Sequence, residues 1–167
     1  MSTPHRQPAG SPVGGQFAAG SRAESALDLA TERPDEADPP LTDHERKDAL
    51  AALVETALWS STDLDSGDTL DRRGLTADDL APETVSALRS DLDSFLDDND
   101  ATIARIRRTH PECTPEQVAH DFWLTRNHHG AGFWDRGYGD DGDRLTQAAH
   151  AYGSIDLYVG DDGRVHA

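Results

Sequence analysis

This chain of 167 residues lacks the features of a disulfide-stapled or membrane-spanning protein. Cys113 is its only cysteine, so no internal disulfide can form, and one thiol makes neither a zinc ribbon nor a CxxC redox pair. No apolar run approaches the roughly 18 residues of a membrane helix, and the N-terminus has no apolar signal-peptide core. We therefore expect a cytoplasmic protein without a membrane partner.

Basic side chains are also scarce. Lys47 is the only lysine, and 15 basic residues face 32 acidic ones, giving a net charge of −17. Such a field repels nucleic acid and attracts cationic surfaces, so we expect a basic protein partner and no direct binding to duplex DNA. Asp outnumbers Glu about three to one, a composition that GC-rich coding or a high-salt proteome also produces, so acidity alone does not establish a function.

Residues 1–40 contain most of the prolines and few large apolar side chains. A stretch of this kind cannot bury enough surface to offset the entropy of ordering the chain. The sequence therefore predicts a disordered tail over residues 1–40. The remaining residues, 41–167, have the length of a single domain.

Two helices are predicted in the acidic first half of that domain. The first begins at a Thr42 capping box and ends near Trp59, which we expect to close one side of the core. Residues 60–80 are predicted to be a loop, without a calcium site because the glycine and bidentate Glu positions do not fit. The second helix begins at Pro82 and keeps one apolar face as far as Arg108. A kink or break at residues 97–100 is the alternative, although carboxylates there would end a helix unfavourably.

Two more helices and a hairpin are predicted to complete the domain. Thr114 and Pro115 form the clearest helix start, and this third helix runs to about Asn127. A glycine-rich loop extends through Gly142, followed by a short fourth helix closed by Gly153. Apolar and polar residues then alternate up to a turn at residues 160–163. The predicted fold class is α+β and mostly helical, with about four helices followed by a C-terminal β-hairpin.

The segment from His120 to Gly137 is the part of the chain richest in binding chemistry. Its eighteen positions hold four of the ten aromatic residues, three histidines, two Asp and two Arg. Much of it falls on the long glycine-rich loop, and binding residues concentrate on such loops. The candidate binding residues are Asp121, Trp123, Arg126, Asn127, His129, Trp134, Asp135 and Arg136.

Enzymatic and metal-binding interpretations of this segment are the less favoured ones. His129 paired with Asp135 could act as a general base beside Arg136, as in a hydrolase. However, the chain has no nucleophile elbow, P-loop or paired-carboxylate spacing. His120 and His128 lie two helical turns apart and no HExxH spacing occurs, so we expect no metal and no cofactor.

Two further interpretations use the aromatic side chains of the same segment. In one, Trp123 and Trp134 stack on the bases of single-stranded nucleic acid, a role that the negative field opposes. In the other, the aromatic residues form the core, and the two Asp and two Arg residues make salt bridges. A rigid aromatic core is compatible with a binding role, because it can present polar groups to a ligand.

Three segments carry a resemblance to a protein family. They cover residues 57–63, residues 120–137 and residues 153–163, with HDFWLTRN-x-HGAGFWDRG as the central motif. Through them the chain resembles a family of small acidic proteins of bacteriophages, plasmids and actinobacteria. Relatives in that family often have Gly where this chain has His128, which suits a left-handed helix cap. The resemblance implies an accessory role in a mobile element and provides no catalytic residues.

Together these features favour a non-enzymatic accessory protein that binds a basic protein partner. The carboxylates of the second helix, Asp91, Asp93 and Asp97, are the expected contact surface. The alternatives are a small hydrolase-like enzyme or ligand-binding protein working at His129, Asp135 and Arg136, and a single-stranded nucleic-acid contact through Trp123 and Trp134.

Overall fold

The computed structural model describes residues 39–167, so the predicted tail lies outside the described residues except for Pro39 and Pro40. Its described part is mostly helical and ends in a small antiparallel hairpin, which confirms the predicted fold class. The α-helices are α1 (Asp43–Ser60), α2 (Pro82–Asp98), α3 (Asp100–Thr109), α4 (Pro115–Arg126) and α5 (Asp140–His150), and the strands are β1 (Tyr158–Val159) and β2 (Val165–His166). Two 3₁₀ turns lie at Ala77–Asp79 and Phe133–Asp135.

Helices α1 and α4 form the centre of the domain. The capping box that starts α1 is present, since Thr42 Oγ1 accepts a bond from the Glu45 N–H and Glu45 accepts one from the Thr42 N–H. The α1 side chains that face α4 are buried, but Trp59 is 43% exposed. The prediction that Trp59 closes the core is therefore wrong, because the neighbouring residues Ala57 and Leu58 already occupy the inward positions.

The predicted long second helix is two helices, α2 and α3, that meet at Asn99. The Asn99 side chain bonds the Phe95 carbonyl, which the Asn99 backbone N–H also contacts. Asparagine competes in this way for helix carbonyls, so a break replaces the continuous helix that the dipole argument favoured. The domain consequently has five α-helices in its described residues, where about four were predicted.

Helix α4 begins at the predicted Thr114 cap and ends at Arg126. The loop after it is shorter than predicted, because α5 already begins at Asp140 and includes Gly142. Gly142 is buried in the first turn of α5, where an added Cβ would lie 3.0 Å from the Phe133 carbonyl oxygen. Glycine at this position therefore permits close packing of the helix on the loop, and does not signal an open chain.

The hairpin pairs Tyr158 with His166 and Val159 with Val165. Gly163 has a φ of +76° and completes the turn that was predicted over residues 160–163. On its other edge, Val165 bridges Leu80 and accepts a bond from the Ala81 N–H at 2.9 Å. Strand β1 is therefore the outer strand. Across residues 39–167 the structure has no helix long and apolar enough to cross a membrane.

Candidate functional site

The C-terminus of α4 is the point from which the candidate residues diverge. Helix α4 ends in a Schellman motif, with the His129 N–H bonded to the Leu124 carbonyl at 2.9 Å and the His128 N–H bonded to that of Thr125 at 3.1 Å. His128 has a φ of +56° and is the only residue other than glycine with a positive φ in the described part of the chain. This motif ends α4 before His129.

Arg126 is a buried structural cation. Its side chain is almost fully buried, and its guanidinium bonds Asp91 Oδ2 at 2.9 Å, the Gly153 carbonyl at 2.9 Å and the Tyr152 carbonyl at 3.0 Å. It also lies over the rings of Phe122 and Tyr152. These contacts join three parts of the chain and leave no face of the guanidinium for a ligand.

Asp121 is fully buried and has four hydrogen-bonding contacts. Arg136 donates to both of its carboxylate oxygens, at 2.8 and 2.6 Å, and Gln117 donates at 2.9 Å. His120 Nδ1 lies 3.0 Å from Asp121 Oδ1. The hydrogen bonds to Asp121 raise the pKa of the Arg136 guanidinium. The salt bridge fastens the loop to α4, as the structural interpretation of these residues requires.

The two tryptophans of the segment have opposite environments. Trp123 is 1% exposed and its indole N–H donates to Ser60 Oγ at 2.8 Å, so neither ring face is open for stacking on a base. Trp134 is 43% exposed, although the structural interpretation placed it in the core. Phe122 and Phe133 do lie in the core, where both stack on Phe95.

Asn127, Asp135 and His129 also have separate surroundings. Asn127 Oδ1 accepts a bond from the Ile155 N–H at 2.8 Å and so fixes the segment that leads into β1. Asp135 is exposed in the second 3₁₀ turn. His129 is exposed and lines a groove to which neither Asp135 nor Arg136 contributes. The structure therefore does not bring together the three residues of the hydrolase-like hypothesis.

The groove that contains His129 is a candidate site, and we name it the β1 groove. It has a volume of about 490 Å³ and is lined by residues 60–65, residues 155–159, Trp123 and His129. Leu64 is 96% exposed and Tyr158 is 54% exposed at its walls. Leu157 and Trp123 are buried and provide an apolar floor.

Three aspartates give the β1 groove its negative charge. The Asp63 carboxylate is already bonded to neighbouring residues. Ser66 donates to it from both its hydroxyl and its backbone N–H, and a guanidinium nitrogen of Arg73 lies 3.0 Å from Asp63 Oδ2. These bonds from Ser66, with a smaller effect of Arg73, lower the pKa of Asp63. Asp65 and Asp156 are exposed and make no ion pair with residues 39–167. The charges of these two carboxylates are therefore uncompensated and exposed to solvent.

The carboxylates predicted to form the contact surface on the second helix are already paired. Asp91 bonds Arg126, while Asp93 and Asp97 both bond Arg46 of α1, at 3.2 Å in the case of Asp93. These ion pairs connect α2 to α1 and α4. Charge reversal at the three positions would thus disturb the fold itself, and they are not a suitable probe of partner binding.

Sequence reasoning missed the residues that build the two walls of the β1 groove. Leu64 and Tyr158 carried a signal, because an exposed apolar residue beside Asp65 and an aromatic residue in a strand both suit an interface. What brings them together is the pairing of distant segments, which local sequence patterns do not reveal. In residues 39–167, no three His, Cys, Asp or Glu side chains are grouped to hold a metal ion.

We compared the chain with protein-family models, curated proteins and solved structures, and it matches none of them.

Proposed function

We propose that this protein is a non-enzymatic acidic interaction protein that binds a basic segment of a partner protein in the β1 groove. The observation that carries the proposal is the combination, in one groove, of exposed apolar side chains with uncompensated carboxylates. Leu64 and Tyr158 are largely exposed, and the exposed Asp65 and Asp156 line the same groove. Apolar contact supplies affinity, while the carboxylates attract cationic side chains and orient them.

The charge of the whole molecule supports a basic partner. At a net charge of −17, the protein attracts cationic proteins over several ångströms and repels nucleic acids. The proposed contact surface differs from the one predicted on the second helix, because the carboxylates of that helix form ion pairs with Arg46 and Arg126. A hydrolase-like role has less support because Arg136 is engaged with Asp121.

We also propose that the chain belongs to the phage, plasmid and actinobacterial family that it resembles. Support comes from His128, whose φ of +56° is the conformation that glycine in the relatives adopts most easily. An accessory protein of a mobile element would act by binding a host or element protein, which is consistent with an interaction groove.

A defined peptide tests the proposed function. The probe is an acetylated six-residue peptide that alternates Arg and Val, titrated into the full chain by isothermal calorimetry. Replacing both Asp65 and Asp156 by Asn should weaken binding about fivefold, since each exposed charge pair contributes roughly 0.5 kcal/mol. Raising the salt concentration should weaken binding by the wild type more than by the double variant.

The matched control is a double variant with the same change in charge elsewhere. Glu112 and Asp143 are exposed and do not line the β1 groove, so Glu112→Gln with Asp143→Asn should leave the affinity close to that of the wild type. A Glu-Val peptide of equal length should not bind. Equal weakening in the two double variants, or binding of the Glu-Val peptide, would overturn the proposal.

A further inference from the structure

The outer edge of strand β1 is open along the β1 groove. The Gly160 N–H donates to the Arg164 carbonyl at 2.8 Å, which sets the alternation of the hairpin bonds. Val159 and Val165 are then a pair without mutual hydrogen bonds, and this agrees with Val165 bonding Ala81 on its far side. The backbone groups of Leu157 and Val159 consequently point away from β2.

Those outward backbone groups have no hydrogen-bond partner within residues 39–167. They also face the groove, because five consecutive residues, 155–159, line it. A strand that presented one of its faces to a cavity would contribute every second residue, whereas a strand that presents its edge contributes each of them. The groove is therefore lined by the outer edge of this segment, where Val159 is partly exposed and Leu157 is 3% exposed.

We infer that the partner segment binds by strand addition, as an extended chain hydrogen-bonded to the outer edge of β1. This inference deepens the proposed function and rests on it. Main-chain bonds to Leu157 and Val159 would provide affinity that does not depend on sequence. Side chains of the added strand would alternate between the apolar floor and the exposed face of the hairpin.

The two faces of residues 155–159, the segment that ends in β1, specify the sequence of the partner segment. Ile155, Leu157 and Val159 turn to the inner side, where Leu157 is buried. Asp156 and Tyr158 turn to the exposed side. An added strand matches both when β-branched apolar residues alternate with Arg or Lys, since the cation then lies beside Asp156 and over the Tyr158 ring. The partner segment is thus an alternating basic and apolar strand.

N-methylation of the Arg-Val peptide separates strand addition from charge attraction alone. One peptide is methylated at every Val nitrogen and a second at every Arg nitrogen, and both are titrated into the full chain. Strand addition on one edge predicts that one of the two loses about tenfold or more in affinity while the other retains it. Equal affinities of the two methylated peptides would overturn strand addition.

Amide hydrogen exchange gives a second, direct readout. When the unmethylated Arg-Val peptide binds, the exchange rates of the Leu157 and Val159 amides should fall by about tenfold or more. The Gly160 amide, already bonded to Arg164, is the internal control and should change little. If the double variant at Asp65 and Asp156 binds the peptide more weakly but the exchange rates of both amides do not change, strand addition fails and the proposed function stands. If no peptide binds, the proposed function fails.

Discussion

Arg126 shows how one buried residue organises distant parts of this chain. A buried charge is tolerated only when it is paired and its donors are satisfied. Arg126 meets this condition through one carboxylate and two backbone carbonyls, which belong to α2 and to the segment after α5. The residue was a candidate for ligand binding on its sequence context. The structure assigns its donors to internal contacts.

The carbonyl bonds, more than the ion pair, should determine how much Arg126 stabilises the fold. Arg126→Lys keeps the charge but cannot reach the two carbonyls and Asp91 together, so we expect a loss of about 2–4 kcal/mol. Asp91→Asn should cost less, about 1–2 kcal/mol, because the buried guanidinium loses its charge partner but the amide oxygen can still accept its hydrogen bond. Urea titration measures both. Equal losses in the two variants would contradict this assignment.

At the scale of elements, local signals predicted the helix starts but not every helix end. The Thr42 and Thr114 caps lie where the sequence placed them, because capping depends on residues only three positions apart. The end of α2 lies at the break that was only the alternative prediction, since carboxylates at a helix C-terminus are unfavourable in isolation. Arg46 of α1 offsets this cost through Asp93 and Asp97, and its position depends on the tertiary fold.

The same contrast applies to the candidate site. The candidate segment was found because aromatic and charged residues cluster in it, and its core members Phe122 and Phe133 are where the structural interpretation placed them. The β1 groove was not found. Its walls come from segments about ninety residues apart in sequence, 60–65 and 155–159, which meet only through packing on α4.

His128 offers a test of the cap that ends α4. A residue other than glycine in the left-handed region costs about 1–2 kcal/mol, whereas glycine adds roughly 0.5–1 kcal/mol of unfolded-state entropy. His128→Gly should therefore stabilise the domain by up to about 1 kcal/mol. The His128 ring also contacts His150, with centroids 4.5 Å apart.

His150→Ala is the control for that ring contact, because it removes the contact while leaving the left-handed backbone at residue 128 unchanged. It should produce little change in the urea midpoint. A destabilised His128→Gly variant, together with a destabilised His150→Ala variant, would show that the ring contact outweighs the backbone strain.

At the scale of the whole molecule, the acidic residues both stabilise and destabilise the fold. Several aspartates are fixed in ion pairs with Arg46, Arg105 and Arg126, and the Arg105 pair lowers the pKa of Asp141. The remaining carboxylates repel one another across a surface of net charge −17. The response of stability to salt reports which of these two effects dominates.

We expect repulsion to dominate, so that added salt stabilises the protein. Between about 0.01 M and about 1 M NaCl the Debye length falls from about 30 Å to about 3 Å, which screens repulsion between distant charges. Close pairs with a buried member, such as Arg126 with the partly exposed Asp91, are screened less. The free energy of unfolding in urea should rise by on the order of 1 kcal/mol over this range.

Two neighbouring aspartates at the end of α2 distinguish charge repulsion from ion pairing. Replacing either one by Asn removes one negative charge. Asp98 makes no ion pair with residues 39–167 and lies at the negative end of the helix dipole, so Asp98→Asn should stabilise by about 0.3–1 kcal/mol at low salt. Asp97→Asn removes a bond to Arg46 and should destabilise by up to about 1 kcal/mol. The Asp98→Asn gain should vanish at high salt because screening removes the same repulsion. A protein that loses stability as salt is added, with both variants destabilised, would instead owe its fold mainly to its surface ion pairs.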